Sequence, residues 1–252
     1  MLNPQYLISA ELLKDEIKDM KQYPFCLPVI KWLDKIYFHP KVTFLIGENG
    51  SGKSTLIEAI ATNYGFNPEW WSKNFTFSTQ QTHSELHQYL RIAKWFKKPK
   101  DGYFLRAESY YNLATNIHQL DESGGWRKII DSYGGKSLHY QSHGESFFAL
   151  FMNRFGWQGV YILDEPEAAL SPQKQLEFLV RLHHLIENDS QFIIATHSPI
   201  LLSYPDALIL QIDNTEIIPT KYEQTQHYNI YRDFILEPIQ ALHNLGIPQP
   251  TN

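Results

Sequence analysis

Nine consecutive residues, Gly47-Glu48-Asn49-Gly50-Ser51-Gly52-Lys53-Ser54-Thr55, carry the clearest chemistry in the chain. Gly47, Gly50 and Gly52 let the backbone curl until several N–H groups face one anion. Lys53 adds an ammonium with the reach to bridge two phosphates, and Ser54 adds a hydroxyl able to ligate Mg²⁺. A chance glycine-rich turn is the plain alternative. The flanks argue against it. An apolar β-type run, Val42-Thr43-Phe44-Leu45-Ile46, leads in, and a helical run, Thr55-Leu56-Ile57-Glu58-Ala59-Ile60-Ala61, leads out. Strand, glycine loop and helix is the setting in which such a loop holds phosphate, with the helix dipole adding positive potential.

Two further groups stand at the ends of apolar runs. Asp164-Glu165-Pro166 follows Val160-Tyr161-Ile162-Leu163, and Thr196-His197-Ser198-Pro199 follows Phe192-Ile193-Ile194-Ala195. In a parallel sheet both land on the carboxyl edge, where ligands bind. Adjacent carboxylates can divide the work of phosphoryl transfer to water. Asp164 serves the metal, and Glu165 orients the water. His197 can then hydrogen-bond the terminal phosphate or position Glu165. A fourth group, Gln141-Ser142-His143-Gly144-Glu145, opens the helical run Phe147–Phe151. Ser142 with Glu145 reads as an ordinary capping box. Its free N–H groups also suit an anion.

The elements that position these groups follow from pattern. Tyr6–Leu12 reads as a strand, and Pro24, Pro28 and Pro40 argue against a long helix after it. Phe75–Ser78 reads as a strand, Ser84–Phe96 has helical spacing, Pro99–Gly102 is a turn and Tyr103–Arg106 a short strand. Leu113–Leu120 reads as helix and the stretch 121–135 as a surface loop. Pro172–Glu187 is a helix with Ser171 at its cap and Pro172 at its first position. Ala207–Ile212 is a further strand, and Tyr228–Leu245 a closing helix or helix pair against the core. Tyr23, Phe25 and Phe38 are candidates to stack on a base, with core packing the better explanation for each.

Composition narrows the class. The chain has 252 residues, 43% apolar and 19% charged, which suits a folded globule. The net charge of −5 gives no overall basic field for nucleic acid. Lys94, Lys97, Lys98 and Lys100 form a local basic group or a solvated helix end. Cys26 is the only cysteine, so no internal disulfide or cysteine zinc site is possible, which fits a cytoplasmic location. No signal-peptide pattern and no membrane-length apolar run is present.

Taken together, these motifs resemble the ABC-superfamily ATPases. Gly47–Ser54 is similar to a Walker A loop, Ser142–Glu145 to the signature, and Val160–Glu165 to Walker B with its catalytic glutamate. Ala169-Leu170-Ser171 is similar to the D-loop and His197 to the switch histidine. More narrowly, together with Phe104–Ser109, Asp164–Pro172 and Ala195–Pro199, the motifs resemble small stand-alone bacterial AAA/ABC-type ATPases, over roughly residues 5–245. The resemblance implies an α/β P-loop NTPase fold. It has a mostly parallel central sheet flanked by helices, an antiparallel β entry and a small helical subdomain over about 82–157, all within one domain, 1–252. It implies ATP and Mg²⁺ as ligands and ATP hydrolysis as the activity. The implied assembly is a head-to-tail homodimer in which Ser142, Gly144 and Glu145 close over the partner's ATP, with Ser171 near the seam. Gln80 or Gln81, or else Glu108, would be the Q-loop residue at the metal. Three outputs stay open: a soluble process acting on nucleic acid or a protein effector, a transporter subunit, or a nucleotide-gated scaffold. His143 and Gln141 depart from the transporter-type signature, and the spacer between Lys53 and Ser142 lacks the heptads of chromosome-maintenance arms.

Overall fold

The apolar runs become strands buried on both faces. In β3 (Val42–Gly47), β6 (Gly159–Asp164) and β7 (Gln191–Ala195) every residue is buried, as continuous apolar patterning requires of a covered parallel sheet. The computed structural model describes residues 5–66, 84–106, 143–213 and 216–247. With β5 (Asp101–Arg106), β8 (Leu208–Ile212) and β9 (Ile217–Thr220), these strands form one sheet of order β5-β6-β7-β3-β8-β9. All neighbours are parallel except β8 and β9. A second, antiparallel sheet has the order β2-β1-β4, from β1 (Leu7–Leu12), β2 (Lys35–Tyr37) and β4 (Leu90–Lys94).

Side-chain alternation gives the central sheet two cores. Phe44, Tyr161, Leu163, Phe192 and Ile194 face α3 (His143–Arg154) and α4 (Pro172–Glu187). There the Phe151 and Phe178 rings stack 4.0 Å apart. Leu45, Val160, Ile162 and Ile193 face the other way. They pack with Leu56, Ile57 and Ile60 of α2 (Lys53–Tyr64), with α1 (Pro28–Trp32) and with the antiparallel sheet. Gln191 ties the two sheets together. Its Oε1 accepts from the Tyr6 and Leu7 N–H groups at 2.9 and 2.8 Å, and its Nε2 donates to the Leu7 and His39 carbonyls at 2.8 and 3.0 Å. Ser171 caps α4 as its sequence position predicts, accepting from Lys174 N.

Three expectations are corrected. Ser84–Phe96 is not a helix. A 3-10 turn, Glu85–Tyr89, runs directly into β4, whose residues pair with β1. The spacing of Leu86, Tyr89 and Leu90 arises because the turn and the strand bury Leu86 and Leu90 and half-bury Tyr89; Phe96 is exposed. The basic group is dispersed as a result. Lys94 lies over the Tyr64 ring and donates to the Tyr64 carbonyl, while Lys97 faces Asp189. The turn expected at Pro99–Gly102 gives way at Asp101, where β5 begins. After a short helix, α5 (Pro199–Leu202), the C-terminal residues form two helices, α6 (Gln226–Leu236) and α7 (Pro238–Asn244), but neither buries a residue in the core. Phe25 and Phe38 are core residues; Tyr23 is exposed. The expectations for Phe75–Ser78, Leu113–Leu120 and 121–135 lie outside the described residues.

Candidate functional site

The loop after β3 and the first turn of α2 form a cradle that only glycine permits at its tightest points. A Cβ on Gly47 would sit 2.7 Å from the Ile212 carbonyl oxygen of β8. Gly52 has φ +96° and leads directly into α2. Glu48, Asn49 and Gly50 are exposed at the crest, and Ser51 is buried. Ser54 and Thr55 lie half-buried in the first turn of α2. Lys53 is buried, and its Nζ donates to the Gly47 and Glu48 carbonyls at 2.8 and 2.9 Å. Burial lowers its pKa, while the nearby carboxylates of Glu165, Asp164 and Glu167 pull the other way.

Asp164 ends β6 and is only 3% exposed. The Ser54 hydroxyl donates to its Oδ1 at 3.1 Å, and Arg106 Nε donates to its Oδ2 at 3.0 Å. Arg106 ends β5 in register with Asp164. Its NH2 nitrogen also reaches Glu58 Oε2 at 2.8 Å and the Ser54 carbonyl at 3.3 Å. Burial pushes the Asp164 carboxyl above its usual range, and Arg106 and Ser54 pull against that. Two hard oxygen donors, Ser54 Oγ and Asp164, thus meet beside a cationic cradle. That donor set fits a small divalent cation such as Mg²⁺.

Glu165 and His197 meet on the same edge. Glu165 has φ 50° and ψ 52°, a left-handed conformation held by its N–H bond to the Ala195 carbonyl and followed by Pro166. The turn leaves Glu165 Oε1 3.5 Å from His197 Nε2. Glu167, in the 3-10 turn Pro166–Ala169, accepts from the His197 backbone N–H. Burial raises the Glu167 carboxyl pKa, and that N–H opposes the rise. His197 Nδ1 lies 3.0 Å from Nε2 of His227 on α6. Burial, Lys53 and His227 lower the His197 pKa to about 4, so its ring is neutral near pH 7. A cavity of about 420 Å³ opens here between the glycine loop, the end of β8, His197 and one face of α6.

The structure therefore gathers Lys53, Ser54, Asp164, Glu165 and His197 at one sheet edge. Gly144 and Glu145 lie in the first turn of α3, and Ser171 is exposed at the start of α4. Ser142, Gln80, Gln81 and Glu108 lie outside the described residues. Arg106, Glu167 and His227 had no role in the sequence reading. For Arg106 the available signal was its place at the end of a strand candidate. Glu58 adds another, one turn after Ser54 on the same helix. His227 offered no such signal.

Residues 87–203 match the model of the family described as "AAA domain, putative AbiEii toxin, Type IV TA system". Over 185 residues the chain is 27% identical to "ABC transporter E family member 1" of Arabidopsis thaliana, covering 65% of this chain and 30% of that protein. It thus spans about 30% of the length of that relative. Similar solved structures include cbiO1 of Clostridium perfringens, part of the ABC transporter complex cbiONQ, at 18% identity and TM-score 0.49 over 96% of this chain and 100% of that one. They also include the SMC head domain of Thermotoga maritima, at 17% identity and TM-score 0.45 over 86% and 100%.

Proposed function

We propose that this chain is a P-loop ATPase of the ABC superfamily, a reading supported by the family match and the curated relative, and that it binds ATP with Mg²⁺ at the β3–α2 loop and hydrolyses it within a head-to-tail homodimer. The observation that carries this is the convergence of the Lys53 ammonium, the Ser54–Asp164 pair and the Glu165–His197 pair on one sheet edge.

The loop N–H groups and the start of α2 bind the phosphates. Lys53 spends two of its three N–H donors on its own loop, and the third serves a phosphate oxygen. Ser54 and Asp164 would hold Mg²⁺, which when bound neutralises charge on the phosphates and makes the terminal phosphorus more open to attack. Arg106 keeps the Asp164 carboxylate aimed at Ser54. Glu165 accepts a hydrogen bond from the attacking water and takes its proton as the bond to the departing ADP breaks. His197, neutral and 3.5 Å from Glu165, donates toward the terminal phosphate. In the dimer, Ser142, Gly144 and Glu145 would close over the partner's ATP, and hydrolysis would remove that contact. The output is then a conformational switch in a soluble process, with a nucleic acid or protein effector as the coupled partner. Among the described residues no helix is long and apolar enough to cross a membrane.

The test is Glu165→Gln. We expect ATP binding within about twofold of the parent, turnover lowered at least about a hundredfold, and a dimer that appears on adding ATP and Mg²⁺ in sedimentation. Unchanged turnover would remove Glu165 from its role, and a monomer under all conditions would remove the dimer.

A further inference from the structure

His197 and His227 face each other from different parts of the chain. His197 follows β7, whereas His227 sits in the first turn of α6. That turn is anchored by the buried Thr225, which donates to the Tyr222 carbonyl and accepts from the Tyr228 N–H. The facing nitrogens, His197 Nδ1 and His227 Nε2, are 3.0 Å apart, with ring centroids 5.2 Å apart. The far nitrogens, His197 Nε2 and His227 Nδ1, are buried and make no hydrogen bond among the described residues. The charged groups acting on this pair are Lys53 from α2 and Glu165 and Glu167 from the turn after β6. Burial and Lys53 lower both imidazole pKa values, so both rings are neutral near pH 7.

A neutral imidazole carries one N–H, so one ring donates in the 3.0 Å bond and the other accepts. If His197 donated from Nδ1, its Nε2 would be a lone pair facing the Glu165 carboxylate 3.5 Å away. Two acceptors would then oppose each other in a buried site, which is costly. If His227 donates from Nε2, the His197 proton sits on Nε2 and faces Glu165 favourably. The left-over lone pair falls on His227 Nδ1, away from the carboxylate.

We propose that His227 is a positioning residue that donates from Nε2 to His197 Nδ1 and so holds the proton on His197 Nε2, where it faces Glu165 and the terminal phosphate. The tautomer assignment stands on geometry alone, while its effect on turnover rests on the ATPase reading above. Helix α6 thereby sets the hydrogen-bonding sense of a residue that follows β7. This is the relation by which an outer partner fixes the tautomer of a working histidine.

The test has two arms. In the first, ¹⁵N-labelled histidine spectra are recorded on the nucleotide-free 252-residue chain at pH 7.5, with assignments from His197→Gln and His227→Gln. We expect His197 with a protonated Nε2 and a bare Nδ1. A protonated Nδ1 on His197 overturns the proposal, and this spectrum requires no variant of His227 to fold. In the second arm, His227→Leu should lower kcat by at least about tenfold with KM within about twofold. His227→Gln, whose Nε2 can donate from nearly the same place, should recover most of that loss. Equal losses in the two variants would mean that His227 only fills space, and would overturn the proposal. If the wild-type spectrum is as expected but no form of the protein releases phosphate, the tautomer assignment stands and the ATPase reading fails.

Discussion

Asp164 is a buried side chain whose charge depends on its neighbours. Its carboxylate is almost fully buried and divides its oxygens between the Ser54 hydroxyl and the Arg106 guanidinium. A buried charge of this kind persists only because it is paired. Arg106 is less buried, with its side chain 25% exposed, and it shares itself with Glu58. Removing the guanidinium should therefore cost somewhat less than breaking a fully buried ion pair. For Arg106→Gln we expect a loss of about 2–3 kcal/mol in urea unfolding at pH 7. In Asp164→Asn the charge that needs Arg106 is gone. The double variant should therefore be more stable than the sum of the two single losses predicts, by about 1 kcal/mol or more. Additive losses would show that the pair does not depend on each other for stability. Arg106 would then serve Glu58 and the Ser54 carbonyl instead.

Among the elements, the join between the two sheets is the most exacting. Gln191 begins β7 fully buried and makes four hydrogen bonds to backbone groups of Tyr6, Leu7 and His39. Its carbonyl oxygen meets two N–H groups and its NH₂ meets two carbonyls, so only an amide satisfies all four. Gln191→Glu keeps the shape but sets an oxygen against two carbonyls, and Gln191→Leu strands all four partners. Each should lose about 3 kcal/mol of stability. Amide exchange should speed up first at Leu7, while β3 and β6 stay protected. A Glu variant as stable as the parent would disprove the role of the amide. This join also marks what the sequence could tell. The buried runs of β3, β6 and β7, the glycine loop and the Ser171 cap depend on neighbours a few residues away, so they were legible. The β4 strand was misread as helix because its partner, β1, lies some eighty residues upstream and its turn mimics helical spacing. Arg106 became meaningful only through its register with Asp164, and His227 only through the path of the last helices. Neither meeting is encoded by local spacing.

At the scale of the whole molecule, the central sheet divides structure from function. Both of its faces are covered, by α3 and α4 on one side and by α2 with the antiparallel sheet on the other. The carboxyl edge is left to the glycine loop, Asp164, Glu165 and His197. The α6–α7 pair belongs to neither core. Ile235 and Leu236 are 70% and 71% exposed, and no residue of either helix is buried. What α6 does contribute is one wall of the cavity, with His227 on it. The two roles can be separated by ending the chain at Thr225. That residue is buried and still donates to the Tyr222 carbonyl, and the Tyr222 hydroxyl still donates to the Pro199 carbonyl. The packing lost is mainly the Tyr228 ring against Tyr222 and the Asn229 side chain on the Glu223 and Thr225 carbonyls. Those are surface contacts, so the thermal midpoint should fall by no more than about 4 °C. Turnover should fall as it does in His227→Leu and no further, because the shortened chain keeps Lys53, Ser54, Asp164, Glu165 and His197 in place. Scanning calorimetry and phosphate release on the same preparation decide between the alternatives. If the chain ending at Thr225 fails to fold, the last helices support the sheet despite their exposure. If it folds and hydrolyses at the parental rate, nothing on α6 takes part in the chemistry of the edge.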